Sequence, residues 1–124
     1  MRFEVVVPVA TVSELNTRGH WRERHQRAKQ QKELTTLLLR THGSFDCREN
    51  PPPYRVKLTR ISPRPIRDSD NLYSSTKAVR DAVALFLGVD DADVVPGGKV
   101  TWSVAQCSEP RYAVRIEIET AAKA

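Results

Sequence analysis

The sequence has few cysteines and lacks several catalytic signatures. Its two cysteines, Cys47 and Cys107, lie far apart without metal-type spacing, which predicts free thiols in a reducing cytosol. Gly97-Gly98-Lys99 resembles the end of a phosphate-binding loop, but the preceding glycine is missing and a strand pattern follows. There is no G-x-S-x-G nucleophile elbow and no H-E-x-x-H zinc helix. The sequence therefore lacks the motifs of P-loop nucleotide sites, serine α/β-hydrolases and H-E-x-x-H zinc enzymes.

Long hydrophobic runs are also missing. No stretch of about 18 apolar residues occurs, so no transmembrane helix is predicted and we expect no membrane partner. The first seven residues are too short and too acidic for a signal peptide. The 124 residues suit one domain over positions 1–124 with a single core, and we expect it in the cytoplasm.

Charge is distributed unevenly along the chain. Residues 18–67 contain 13 Lys or Arg against 4 Asp or Glu, whereas residues 68–124 contain 6 against 9. A basic half beside an acidic cluster suits a polyanionic substrate delivered to a metal-binding centre. The alternative is a solvated basic surface without a partner.

Periodicity predicts an α/β (α+β) fold. Apolar residues alternate with polar ones in four stretches, and these predict strands around residues 3–7, 54–58, 100–104 and 114–118. Helical spacing predicts two helices, over about 20–41 and about 72–87, the second ending at Gly88. We expect a mixed four-stranded sheet packed against these two helices in a single small domain.

Carboxylates cluster around the second predicted helix. Asp68 and Asp70 lie at or just before its start, and Asp90-Asp91 follows its end. Three or four carboxylates brought together in this way suit a hard divalent cation such as Mg²⁺, which prefers oxygen ligands. The alternative is that Asp68 or Asp70 only caps the helix and that Asp90-Asp91 is a solvated pair.

The same predicted helix carries a polar stripe. Ser74, Lys77 and Asp81 fall within a narrow angular range that leads back to Asp70. Lys77 is therefore a candidate catalytic cation. The alternative is an exposed Lys77–Asp81 pair worth a few tenths of a kcal/mol.

Basic residues precede the acidic cluster. Residues 62–67 form a Pro-rich basic loop, which we expect to be mobile so that Arg60, Arg64 and Arg67 close on a nucleic-acid backbone. The first half of the first helix is also basic and includes Arg22 and Lys29, which can track phosphates.

These residues carry a resemblance to a known family. The run Arg67-Asp68-Ser69-Asp70-Asn71-Leu72, followed by Lys77, Asp81 and Gly88-Val89-Asp90-Asp91-Ala92-Asp93-Val94-Val95, resembles the RusA-like Holliday-junction resolvases, and the phage-borne members most. The N-terminal positions Pro8, Ser13, Asn16, Arg18, His20 and Trp21 also resemble that branch, so the similarity touches most of the chain.

The resemblance implies a small homodimeric Mg²⁺-dependent endodeoxyribonuclease that resolves four-way DNA junctions by symmetric phosphodiester hydrolysis, in a bacterial or phage-infected host cytosol. The family's essential carboxylates correspond to Asp68, Asp70 and Asp91, which become the expected catalytic and metal-binding residues. The family lysine four residues after the second aspartate is replaced by Ser74, and a lysine follows at Lys77. The DNA contacts predicted with this reading are Arg18, Arg22, Lys29, Arg60, Arg64, Arg67 and Asn71.

Two other functions stay open from the sequence. The displaced lysine favours a catalytically inactive DNA-binding accessory protein of phage DNA metabolism. A basic α/β protein without a nucleic-acid role is the third possibility, and absent or salt-insensitive DNA binding would favour it.

Overall fold

The chain forms a mixed four-stranded sheet and three helices, as a computed structural model describes for residues 2–11, 21–41, 53–89 and 100–120. In chain order the elements are β1 (Arg2–Val7), α1 (Trp21–Thr41), β2 (Tyr54–Ser62), α2 (Ser69–Ser75), α3 (Lys77–Leu87), β3 (Val100–Ser108) and β4 (Ala113–Thr120). The predicted α+β class and the four predicted strands are confirmed.

The sheet order is β1-β4-β2-β3. β4 runs antiparallel to both β1 and β2, whereas β2 and β3 are parallel. A parallel pair needs a crossover connection, and α2 and α3 lie in the connection between β2 and β3. The carboxyl ends of β2 and β3 therefore lie side by side at the same end of the sheet, where the chain leaves β2 toward Asp68.

One face of the sheet forms the core. Alternate residues of every strand point to this face, and Val5, Leu58 and Ile116 are almost completely buried there. Val79 and Val83 of α3 and Leu39 of α1 join the same cluster, and the Phe3 and Phe86 rings stack at 6.1 Å. Each fully buried side chain of this kind stabilises the fold by about 1.5–3 kcal/mol, so the strand alternation fixes which face receives the helices.

The second predicted helix is divided at Thr76, so the chain has three described helices where two were predicted. The hydroxyls of Ser74, Ser75 and Thr76 each donate to a backbone carbonyl three residues earlier, at 2.7–3.1 Å. Such side-chain bonds compete with helical ones, and Thr76 leaves the helical conformation at φ −100° and ψ 8°. Gly88 ends α3 in the left-handed conformation at φ 70°, as the sequence predicted.

The break is stabilised by a buried arginine. The Arg80 guanidinium lies 3.9 Å from the centre of the Tyr73 ring and donates a 3.1 Å hydrogen bond to the Tyr73 carbonyl. Its Nε also lies 3.4 Å from the Thr76 hydroxyl. A cation near the last carbonyls of α2 is favourable, so Arg80 caps α2 while belonging to α3.

α1 agrees with the predicted helix over 20–41. Thr35 and Leu39 are buried against the sheet side, whereas Arg22, Lys29 and Lys32 are exposed. These three basic side chains of α1 are therefore accessible to solvent. Within the described residues, no helix combines the length and the apolar character that crossing a membrane requires.

Candidate functional site

Asp68 caps the amino end of α2. Its backbone is extended (φ −87°, ψ 124°), and its Oδ1 accepts a 2.9 Å hydrogen bond from the Asp70 backbone N–H. The Asn71 side-chain amide lies 3.5 Å from Oδ2 of the same carboxylate. Asp68 thus has the geometry of an ordinary helix cap and keeps an exposed carboxylate.

Asp70 lies in the first turn of α2 and is exposed beside Asp68. Two carboxylates within one turn offer the oxygen donors that Mg²⁺ prefers, and Mg²⁺ often uses only one or two carboxylates together with water and substrate phosphate. This donor set fits the ion. The third predicted ligand, Asp91, and its neighbour Asp90 lie outside the described residues. Within the described ranges, no group of three or more His, Cys, Asp or Glu residues could hold a metal.

The loop between β2 and α2 is held at several points, contrary to the mobility predicted for residues 62–67. The Gln106 side chain accepts a 2.9 Å hydrogen bond from the Ile66 N–H and donates one of 2.7 Å to the Ile66 carbonyl. The Ser108 hydroxyl donates to the Pro63 carbonyl at 3.3 Å, and the Glu109 N–H donates to the Ser62 carbonyl at 3.0 Å. The carboxyl end of β3 therefore fixes the loop just before Asp68.

Arg60 has a different role from the one predicted. It is only 6% exposed, because it follows Tyr54, Val56 and Leu58 along the core face of β2. Its Nε and Nη2 donate to the Thr11 carbonyl at 3.2 and 3.0 Å, and its Nη1 donates to the Ser62 hydroxyl and the Arg64 carbonyl at 2.6 and 3.1 Å. Arg60 is thus a structural residue and would have to leave these acceptors to bind a phosphate.

Burial also affects the pKa of Arg60. Desolvation lowers the pKa of the guanidinium below its usual value, and Tyr112 acts in the opposite direction. Among the described residues, all of its hydrogen-bond acceptors are neutral groups. The five bonds to backbone and hydroxyl oxygens compensate for lost hydration, and they join the segment after β1 to the loop after β2.

A groove of about 470 Å³ lies between residues of α1 on one side and residues of α2 and α3 on the other. α1 contributes His25, Lys29 and Lys32, whereas the opposite wall includes Ser74, Lys77 and Asp81. The predicted polar stripe therefore faces one groove even though the helix breaks at Thr76. Three lysines beside one aspartate give the groove a positive balance, which suits an anionic ligand.

Lys77 and Asp81 form the predicted i,i+4 pair. Their Nζ and Oδ1 atoms are 3.6 Å apart, and the Lys77 side chain is 67% exposed. Lys29 makes a similar exposed pair with Glu33 at 4.0 Å. Such pairs contribute little to stability, so both lysines can be redirected toward a bound anion at small cost.

The other predicted DNA contacts divide into three groups. Arg64 and Arg67 are exposed on the loop before α2, and Arg22 is exposed on α1. Asn71 is half-buried next to Asp68. Arg18 lies outside the described residues.

Sequence reasoning missed the residues that support the site. Gln106, Ser108 and Thr11 carry no local signal, because their partners lie 40 or more residues away in the chain. Arg60 did carry a signal. Its even spacing from Tyr54, Val56 and Leu58 places it on the core face, provided that the strand extends past residue 59.

The chain matches no protein-family model and no curated protein. Any function must therefore be argued from the residues and their arrangement.

Proposed function

We propose that this protein is a Mg²⁺-dependent endodeoxyribonuclease that resolves Holliday junctions. The observation that carries the proposal is the position of the acidic start of α2. Hydrogen bonds from β3 fix the loop just before it, and the residues that follow along α2 and α3 form one wall of the lysine-lined groove. Asp70 lies one helical turn before Ser74, so its exposed carboxylate is on the side of α2 that carries the groove residue Ser74. Anion binding and hydrolytic chemistry would then occupy adjoining surfaces.

The groove lysines would bind backbone phosphates. Lys29, Lys32 and Lys77 line it, and Arg64 and Arg67 are exposed next to Asp68. Contacts of this kind position DNA without reading its sequence. Junction geometry, more than base identity, would then direct binding.

Asp68 and Asp70, together with Asp91, would hold Mg²⁺. When bound, the ion supplies charge stabilisation for the pentavalent transition state and lowers the pKa of a nucleophilic water. Lys77 would stabilise negative charge on the reacting phosphate from the groove side. Gln106 and Arg60 would keep the loop before Asp68 in one position, which limits reorganisation during the reaction.

Resolution of a four-way junction needs two symmetric nicks. A two-fold homodimer meets this requirement, because each protomer would cut one of two equivalent strands. We propose that this dimer acts in the bacterial or phage-infected host cytosol.

Cleavage of a synthetic four-way junction in Mg²⁺ tests the proposal. Asp70→Asn removes one negative charge and no described hydrogen bond of its side chain, so we expect lost cleavage with junction affinity retained or raised. Glu33→Gln is the matched control, since it removes a similar exposed charge on α1 outside the acidic site. An Asp70→Asn protein that cuts at the wild-type rate would rule out this site.

The rival function is a DNA-binding accessory protein without catalysis. The Lys77–Asp81 pair favours it, because an aspartate beside the displaced lysine weakens its field at a phosphate. Tight, salt-dependent junction binding by the wild-type chain without nicking in Mg²⁺ or Mn²⁺ would establish this rival. Binding that is absent or independent of salt would eliminate both functions.

A further inference from the structure

β3 forms an edge of the sheet. It pairs with β2 along all nine residues, and no described strand pairs with its other side. Its sequence, Val-Thr-Trp-Ser-Val-Ala-Gln-Cys-Ser, contains neither a charged residue nor a proline. A long, uncharged edge is an open template for another strand, because no described strand pairs with its outward N–H and C=O groups.

The opposite edge has the usual protection. β1 is six residues long, carries Arg2 and Glu4, and is followed directly by Pro8. Charges and proline discourage strand addition. The two edges of one sheet thus differ, and only β3 has the features of a pairing surface.

The core face of β3 is incompletely covered. Trp102 and Val104 are only partly buried, whereas Val5 and Val7 of β1 are at most 2% exposed. The Trp102 indole N–H is also buried without a hydrogen-bond partner among the described residues. Apolar surface of Trp102 and Val104 therefore lies beside the same open edge, and it disfavours leaving that edge exposed.

We propose that β3 pairs antiparallel with β3 of a second copy, about a two-fold axis at Val104. A strand that pairs with itself makes an isologous contact, in which the same surface serves both partners. This register uses all nine residues and brings Ser103 opposite Ala105 and Thr101 opposite Cys107. No charged side chains face one another, so the second copy meets no electrostatic penalty.

The pairing would continue the sheet to eight strands across the two-fold axis. Gln106, which holds Ile66 two residues before Asp68, lies two residues from Val104. At about 3.4 Å per residue, the two Gln106 residues would be about 14 Å apart. The pairing is inferred from the edge alone, and only its link to two symmetric nicks rests on the proposed function.

The contact is expected to be modest in strength. One strand edge and two partly covered side chains bury less than the roughly 1,200–2,000 Å² of a stable interface. Association should therefore depend on protein concentration. Sedimentation velocity of the full chain without DNA or metal measures it independently of nuclease activity.

Charge substitutions at Ser103 and Ala105 test the register. Ser103→Lys with Ala105→Lys places like charges opposite each other, so we expect a monomer at every concentration. Ser103→Glu with Ala105→Lys changes the same positions but gives opposite charges, and it should dimerise at least as well as wild type. Val6→Lys on β1 is the control and should leave association unchanged.

A disulfide provides the second measurement. Directly opposed antiparallel residues have Cα atoms about 4.5–5.5 Å apart, within the range of a disulfide. In a Cys47→Ser background, Thr101→Cys should give a covalent dimer through Cys107 of the other copy on mild oxidation. Adding Cys107→Ser should abolish it. A wild-type chain that stays monomeric, two double variants that behave alike, or no cross-link would each overturn the pairing.

Discussion

Arg60 of β2 and Gln106 of β3 are partners in the parallel register, and both side chains bind the backbone of the loop that leads to Asp68. Arg60 donates to the Arg64 carbonyl, and Gln106 makes two hydrogen bonds to Ile66. Two polar residues at the carboxyl ends of adjacent strands therefore set where α2 begins. The position of the exposed carboxylates follows from the sheet.

Gln106→Ala should destabilise the protein by about 1–3 kcal/mol, because two hydrogen bonds are lost and the Ile66 N–H loses its partner. Urea unfolding measures this change. Gln30→Ala, on the exposed side of α1, is the control and should change stability by less than about 0.5 kcal/mol. Equal stability of both variants would show that the loop does not depend on Gln106.

Arg60→Ala should cost about 3 kcal/mol or more, since buried acceptors at Thr11 and Arg64 lose their donor. Arg60→Lys should recover only part of that stability, because an ammonium group cannot make the same set of hydrogen bonds as the planar guanidinium. In DNA-binding assays on folded protein, Arg67→Ala should lower the salt dependence by about one unit, whereas Arg60→Gln, which removes the charge of a buried side chain, should not. A lowered slope for Arg60→Gln would restore Arg60 as a phosphate contact.

Substitution of Asp68 separates capping from catalysis. Asp68→Ala should lose about 1 kcal/mol of stability, whereas Asp68→Asn keeps an acceptor for the Asp70 N–H and should lose little. Both variants should lose junction cleavage, because neither retains the carboxylate. Thermal unfolding and single-turnover cleavage measure the two effects. Cleavage by Asp68→Asn at the wild-type rate would leave Asp68 as a cap only.

Lys77→Ala should lower kcat more than it weakens DNA binding, by about 10²-fold or more if Lys77 acts on the reacting phosphate. Ser74→Ala should cost little. Ser74→Lys in the Lys77→Ala background should recover part of the rate, since both residues line the same groove. An unchanged rate for Lys77→Ala would reduce Lys77 to the exposed partner of Asp81, with a stability effect below about 0.5 kcal/mol.

Cys107 should react slowly with iodoacetamide. Its hydrogen bond to Glu109, 3.4 Å long, is the main cause that raises the pKa of the thiol, so less thiolate is present at about pH 8 than in an ordinary cysteine. In a Cys47→Ser background, Glu109→Gln should speed the reaction and move its pH profile to lower pH. A pH profile that does not move would show that Glu109 does not control the thiol.

Much of the fold could be predicted from local pattern. Alternation identified all four strands, the sequence predicted α1 over about 20–41, and Gly88 as a helix cap marked the end of α3. The division at Thr76 was missed, because the helical spacing of apolar or small residues runs on from Leu72 through Ser75 to Val79. The hydroxyls of Ser75 and Thr76 nevertheless bond to the backbone. Periodicity reports which face is buried, and it does not report how side chains compete for carbonyls.

The sequence alone determined which chemistry is available: carboxylates at the start of a helix, a basic helix before them, and Ser74, Lys77 and Asp81 on one polar side. These follow from the helical period and the capping preference of aspartate, which are local properties. Only the tertiary structure decided what the Arg60 side chain binds, that Gln106 fixes the loop, that α1 completes the groove and that no described strand pairs with the outer side of β3. Those features depend on strand order and on contacts between residues far apart in the chain, and no local pattern encodes which strands become neighbours.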